Sequence, residues 1–332
     1  MITATAPGRC GLVGNPTDLY GGSVLSCSTR ERARCTLSFA SMITLTVSGQ
    51  TQVIHSLDDL ALRRDHLDVA RAVLLALEVE PERTPPFHLS ADTQIPMQAG
   101  LAGSTAILAA LVGCVLAHLG LRLNPYQTAE LVRKIEYDVL GILCGFQDQY
   151  MATFGGLNFM DFRGKVSAQA QDESMPLAVV EPLQNYVGQD LPLLLAHTGV
   201  KHHSGSVHKS PRERWLAGEP AVVDGYREVA HLACLAKRAL LLSDWDMMAD
   251  LMNRNHAIVR DLGGSGPSCE ALISTALAGG ALGAKLAGAG GGGTILALTL
   301  DPARTERALL DAGAEQLLRP APAPGLTVEV HA

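Results

Sequence analysis

The stretch Pro96-Met-Gln-Ala-Gly-Leu-Ala-Gly-Ser-Thr-Ala-Ile-Leu-Ala-Ala-Leu111 decides how this chain is read. A proline, two glycines and two hydroxyl residues stand directly before a run of alanine and leucine. Glycine allows backbone angles closed to other residues, and the apolar run has the length and composition of a helix. The first turn of a helix leaves amides without acceptors and carries partial positive charge, so a glycine loop feeding a helix is an anion site in waiting. Pro96, Gly100, Leu101, Ala102, Gly103, Ser104 and Thr105 therefore form a candidate phosphate cradle. A plain glycine turn before a serine-capped helix is the alternative.

The totals narrow the field around that loop. A chain of 332 residues exceeds most single cores, which predicts two domains or one large α/β domain. Hydrophobic content of 47% against 18% charged residues describes a folded protein and excludes wholesale disorder. The net charge of −7 argues against nucleic-acid partners, which call for a basic face. Seven scattered cysteines without a CxxC pair fit a reduced, cytoplasmic protein better than a disulfide scaffold or a zinc site. The first residues, MITATAPGRCGLVGN, lack the basic-then-apolar pattern of a secretion signal. Residues 101–121 are long and apolar enough to span a bilayer. Their small and hydroxyl residues, with His118 among them, favour a helix buried inside a core, so no membrane partner is expected.

Short apolar runs divided by turn residues predict strands at 34–39 and 42–47. Helical spacing predicts helices over 58–79, 104–120, 124–143, 222–242, 245–262 and 268–277, and further strands are expected at 87–90, 155–162, 191–197 and 294–300. The more polar stretch 163–189 holds the expected border between domains 1–175 and 176–332. Strands and helices alternate without a regular βα order, which predicts an α+β fold.

Three further pieces carry chemistry. Residues 287–293 contain a literal GxGxxG (Gly288, Gly290, Gly293), but helix-like residues precede it and a strand follows, the reverse of a dinucleotide fingerprint. So many glycines still imply close backbone approach, and Gly288, Gly290 and Gly291 are candidates for contact with a phosphoryl group or substrate. A structural hairpin is the bland reading. Asp148 lies in the turn Gly145-Phe-Gln-Asp-Gln, twelve residues after Glu136 on a predicted helix. One carboxylate could hold Mg²⁺, which takes one or two protein oxygens beside phosphate, while the other accepts a proton. Asp148 as a mere turn former is the alternative. The first glycine-rich segment, Ala6-Pro-Gly-Arg-Cys-Gly-Leu-Val-Gly-Asn-Pro-Thr-Asp, places Arg9 on a strand, where burial would demand an anionic partner. Asp18 follows in a loop suited to sugar hydroxyls.

Taken together, APGRCGLVGNPTD, PMQAGLAGSTA and KLAGAGGGG resemble, in order and spacing, the three motifs of the GHMP kinases. GNPTD, GFQDQYMATFGGLNFMDF and SVHKSPRERWLAGE are most similar to the glucuronokinase branch. The resemblance implies a two-domain fold, with an N-terminal ribosomal-protein-S5-like half and a C-terminal ferredoxin-like half. It implies ATP and Mg²⁺ as cofactors, with Ser104 and Glu136 on the metal and residues 100–105 around the phosphates. Asp148 would take or orient the acceptor proton beside Arg9, and Asn15 and Asp18 would contact substrate. The expected reaction is phosphorylation of a uronic acid at its anomeric hydroxyl, by a monomer or homodimer. Galacturonate, arabinose, a heptose phosphate or a mevalonate-like acid remain as other substrates, and a silent sugar and ATP sensor as another class. The segment 200–214 gathers Lys201, Lys209, Arg212 and Arg214 against one acid, which suggests anion recognition in this acidic chain. Arg212 and Arg214 are its candidates for a substrate carboxylate, and a solvated loop is the alternative.

Overall fold

Alternation marks the shorter strands of the first sheet. Ile43, Leu45 and Val47 point inward while Thr44 and Thr46 are half-exposed, the period-two burial of a strand with one face covered. The structure is a computed structural model that describes residues 1–167, 175–188, 190–199, 209–288 and 293–331. Strands β1 (Ile2–Val13) and β2 (Ser23–Phe39) form a long antiparallel pair. The sheet continues through β3 (Ile43–Val47), β4 (Gln50–Ile54) and β5 (Phe87–Thr93) in the order β1-β2-β5-β3-β4, with β3 and β5 parallel. The near end of β2 pairs with β6 (Leu157–Asp161), which carries β7 (Val179–Pro182).

Helices α1 (Asp68–Ala76), α2 (Gly103–His118), α3 (Pro125–Lys134) and α4 (Gln147–Phe154) belong to this half. α2 packs on β1 and β2 and is also covered by α1, α3 and α4. Thirteen of its sixteen residues are buried, which explains a run apolar on every side. Among the described residues no helix is long and apolar enough to cross a membrane.

The second half contributes β8 (Leu193–His197), α5 (Lys209–Leu216), α6 (Pro220–Leu241), α7 (Trp245–Asp261) and α8 (Pro267–Ala278). It continues with β9 (Gly283–Leu286), β10 (Thr294–Leu298), α9 (Pro302–Asp311), β11 (Gln316–Leu318) and β12 (Thr327–Val330). An antiparallel sheet runs β11-β8-β10-β9, while β12 returns to pair with β1 at the edge of the first sheet. The main core runs from the α2 face of the first sheet through α6 to Leu195 and Leu296 of the second. The α+β class expected from the sequence is what the structure has.

Several elements differ from expectation. The helix predicted over 58–79 begins only at Asp68, because Asp59 and Asp68 take the amides of His55, Arg63 and Arg64 and hold that segment in turns. The helix predicted to 143 loosens after Lys134 into a π-turn (Ile135–Val139). Asp148 lies on α4 rather than in a turn. The glycine-rich stretch follows the strand β9, not helix-like residues, and β9 pairs antiparallel with β10 on its far side. No helix follows it, so the dinucleotide reading stays excluded.

Candidate active site

Three glycine-rich segments meet at one point. The β1–β2 register shifts between Pro7 and Arg9, and this bulge frees the Arg9 N–H to donate to Leu101 O at 3.1 Å. Further along β1, the Gly11 N–H donates to Ala287 O at 2.9 Å. A Cβ on Gly288 would lie 2.4 Å from Gly100 O, so the two glycine loops can close on each other only where residue 288 has no side chain. In the loop ahead of α2, Gln98, Gly100 and Ala102 have φ of +57°, +76° and +60°. Alternation into the left-handed region turns successive N–H groups to one side, the geometry of an anion-binding nest. Ala102 bears that conformation at a cost of about 1–2 kcal/mol. The first helical amide bond of α2 runs from Ala106 N to Ala102 O, which leaves the amides of Gly103, Ser104 and Thr105 without helical acceptors.

Arg9 ties this loop to Asp148. Its Nε donates to Asp148 Oδ1 at 2.7 Å, its Nη2 lies 2.6 Å from the same oxygen, and its Nη1 donates to Gly100 O at 2.5 Å. The guanidinium is buried, whereas the Asp148 side chain is 29% exposed and opens toward the site. Asp148 sits in the first turn of α4, a helix whose start is held from far away. Asp18 Oδ2 accepts the amides of Phe146 (2.8 Å) and Gln147 (2.9 Å), and a carboxylate there also suits the helix dipole. Arg133 Nε, itself buried, donates to Gly145 O at 2.6 Å and steadies the same turn.

Glu136 stands behind the loop, fully buried. Thr105 Oγ1 donates to its oxygens at 3.0 and 3.2 Å, and Gln149 Nε2 donates at 2.8 Å. Burial pushes its carboxyl up to about 7; the Asp148 charge adds to the rise, while Gln149, Thr105 and Arg133 oppose it. Gln149 Oε1 is buried without a partner, and the Ser104 hydroxyl lies on the exposed face of α2 beside Thr105. An under-neutralised carboxylate and an orphaned carbonyl oxygen fit a hard cation. Among the described residues no group of three His, Cys, Asp or Glu could hold a metal alone, so such an ion would draw most of its oxygens from phosphate and water.

The remaining predicted residues divide. Asn15 is buried, with Nδ2 donating to Gly288 O (3.0 Å) and Oδ1 accepting from Lys285 Nζ (2.8 Å), so its amide serves the loop junction rather than standing open to substrate. Asp18 spends Oδ2 on α4 and keeps Oδ1. Arg214 makes a two-pronged pair with Glu219 (2.7 and 2.8 Å) and bonds Leu262 O, which leaves it little for a ligand. Arg212 is the contrasting case: its Nε is buried and has no partner. Gly290, Gly291 and residues 200–208 lie outside the described residues. Two residues went unweighed in the sequence. Lys285, visible in KLAGAGGGG, is fully buried and donates to Gly11 O, Asn15 Oδ1 and Leu286 O. Gln149, which orients Glu136, had no signal beyond its place beside Asp148.

Comparisons with known proteins identify relatives of this chain. The family model "GHMP kinases N terminal domain" matches residues 67–156, and "GHMP kinases C terminal" matches 236–316, together more than half of the chain. The chain is 33% identical over 180 residues to glucuronokinase 1 of Arabidopsis thaliana, covering 54% of this chain and about half (48%) of that relative. It is 27% identical to the mevalonate kinase of Thermococcus sibiricus over 90% of this chain and 89% of that one. A solved D-glycero-D-manno-heptose 1-phosphate kinase from Bacteriodes thetaiotaomicron shares the fold across the whole of both chains, with a TM-score of 0.75 at 21% identity.

Proposed function

The chain belongs to the GHMP kinases, ATP-dependent enzymes acting on sugars and related acids, and on that premise we propose that its acceptor is a uronic acid, glucuronate foremost, phosphorylated at the anomeric hydroxyl. The observation that carries the kinase chemistry is the Arg9 bridge, which binds the acid Asp148 and the carbonyl of Gly100 in one guanidinium.

In this reading the amides of residues 103–105 and the nest ahead of them hold the phosphate oxygens, and Ser104 and Glu136 hold Mg²⁺. When bound, ATP would supply the phosphoryl group and Mg²⁺ would neutralise its charge. Arg9 occupies Asp148 Oδ1, so Oδ2 is the oxygen that orients the acceptor hydroxyl and takes its proton as the new P–O bond forms. Phosphoryl transfer through a loose transition state asks mainly for position and charge, which fits a rigidly held acid. The sequence resemblance to glucuronokinase and the free nitrogen of Arg212 support a carboxylate on the acceptor. A mevalonate-like acid is the second reading, because mevalonate kinases align over most of both chains.

The test is ADP release by the unmodified protein with ATP and Mg²⁺ over a panel of glucuronate, galacturonate, glucose and mevalonate. Charge-assisted bonds contribute about 1.5–3 kcal/mol each, so one or two predict a kcat/KM for glucuronate roughly 10–10⁴-fold above that for glucose. Equal turnover of the two sugars contradicts the uronate reading, and exclusive turnover of mevalonate replaces it.

A further inference from the structure

A second cluster of unpartnered groups lies one turn of chain beyond Asp18. Tyr20 ends the segment Thr17-Asp-Leu-Tyr, and its hydroxyl is buried without a hydrogen-bond partner. The hydroxyl of neighbouring Tyr226 acts on it electrostatically, and the two rings stack with centroids 4.6 Å apart, yet no hydrogen bond of good geometry joins them. Trp215 packs against the other side of Tyr20 at 5.0 Å. Arg212 stands three residues before Trp215 on α5, so the two side chains share a helix face. Arg212 Nε is buried with no acceptor. The other arginines of this neighbourhood are committed, Arg214 to Glu219 and Arg227 to Asp224. Thr17, Tyr20, Gly22, Trp215 and Tyr226 line a cleft of about 200 Å³ here.

The chemistry of the missing partner follows from what is left over. An arginine Nε–H can only donate, and a tyrosine hydroxyl beside it has a proton to give. Buried polar groups are almost always hydrogen-bonded, so two donors without an acceptor mark the place of an acceptor-only group. A carboxylate is such a group, with two oxygens and a charge that arginine favours. The charges of Asp18 and Arg212 both act on Tyr20, and Asp18 in turn caps the helix that carries Asp148. The cleft is therefore joined to the transfer centre by a single turn of chain.

We propose that Tyr20 Oη and Arg212 Nε together seat the carboxylate of the acceptor, which makes Tyr20 a specificity-determining residue of this site. The proposal rests on the uronate reading above. Tyr20 donates to one carboxylate oxygen and Arg212 to the other, while the aromatic walls exclude water from the pair.

The experiment compares glucuronate with glucose in the parent protein, in Tyr20→Phe and in Arg212→Leu, with thermal melts to show that each variant is folded. Removing one hydrogen bond to a charged group predicts a fall of roughly 10-fold or more in the glucuronate-to-glucose kcat/KM ratio for Tyr20→Phe. That fall should be carried by KM for glucuronate, since a bond made equally in ground and transition states affects binding alone. Arg212→Leu should lower the ratio further. If the parent shows no preference for glucuronate, the substrate reading fails and this seat fails with it. A parent that prefers glucuronate and a folded Tyr20→Phe that keeps the full preference overturn the seat alone, and the two donors then face trapped water. Should Tyr20→Phe not fold, a retained ratio in Arg212→Leu overturns it equally.

Discussion

Arg9 enters the site with all three guanidinium nitrogens engaged, on Asp148 and on Gly100, whereas Arg212 enters with a buried Nε bonded to nothing. Both are arginines with buried nitrogens, yet one is finished by the protein and the other is not. Under the proposed function the difference separates two jobs. Groups that act on the transferred phosphoryl are fixed in advance, and such preorganisation costs nothing at the moment of reaction. Groups that choose the acceptor are left to be completed by it, so that an analogue lacking the right acceptor atoms leaves a buried donor unpaired and is rejected.

Breaking the finished side should have the largest effect. Asp148→Asn removes the negative partner of Arg9 and the proposed proton acceptor, and kcat should fall by roughly 10²–10⁴ while titration with a non-hydrolysable ATP analogue gives nearly the parent affinity. An unchanged kcat would take Asp148 out of the chemistry. A smaller effect is expected from Ser104→Ala, which deletes one hydroxyl on the exposed face of α2. The Mg²⁺ concentration for half-maximal rate should rise by about 3–10-fold, the value of one hydrogen bond. Superimposable Mg²⁺ titrations of parent and variant would show that the hydroxyl touches neither metal nor phosphate.

The smallest effect concerns the junction beneath both sides. Lys285 is buried, and burial, with Arg9 adding to it, lowers its ammonium to about 7, partly opposed by Cys10. An unfolded lysine keeps its proton to about pH 10. Between those two values the unfolded chain binds more protons, so this residue makes stability rise with pH and fall again as pH drops toward 7. Measured by urea midpoints from pH 7 to 9, the parent should gain on Lys285→Met by up to about 1 kcal/mol per pH unit. Parallel curves would mean that its three acceptors, Gly11 O, Asn15 Oδ1 and Leu286 O, hold the proton throughout.

Much of this centre could be read along the chain because its parts are local motifs. The loop before α2 announces itself by glycines and a following helix, and the three glycine-rich segments appear in order. What could not be read is what comes from elsewhere. The turn at Gly145 looks like a loop because its helix is capped by Asp18, more than a hundred residues earlier, and no local signal reports such a cap. Arg212 and Arg214 are both candidates in sequence, Arg212 the first, and only the geometry of Glu219 makes Arg214 the busy one. Asn15 looked like a substrate contact because the lysine and glycine that occupy its amide lie some 270 residues away. The strand Gly283–Leu286 reads as helix-like because its four residues are buried throughout and show no alternation.

The most direct test of the whole account is the identity of the product. The unmodified protein should be incubated with ATP, Mg²⁺ and glucuronate and followed by ³¹P NMR. A new phosphate ester whose phosphorus couples to the anomeric proton is expected, growing in step with ADP. Inorganic phosphate alone, or no signal beyond ATP while mevalonate yields an ester, would contradict this.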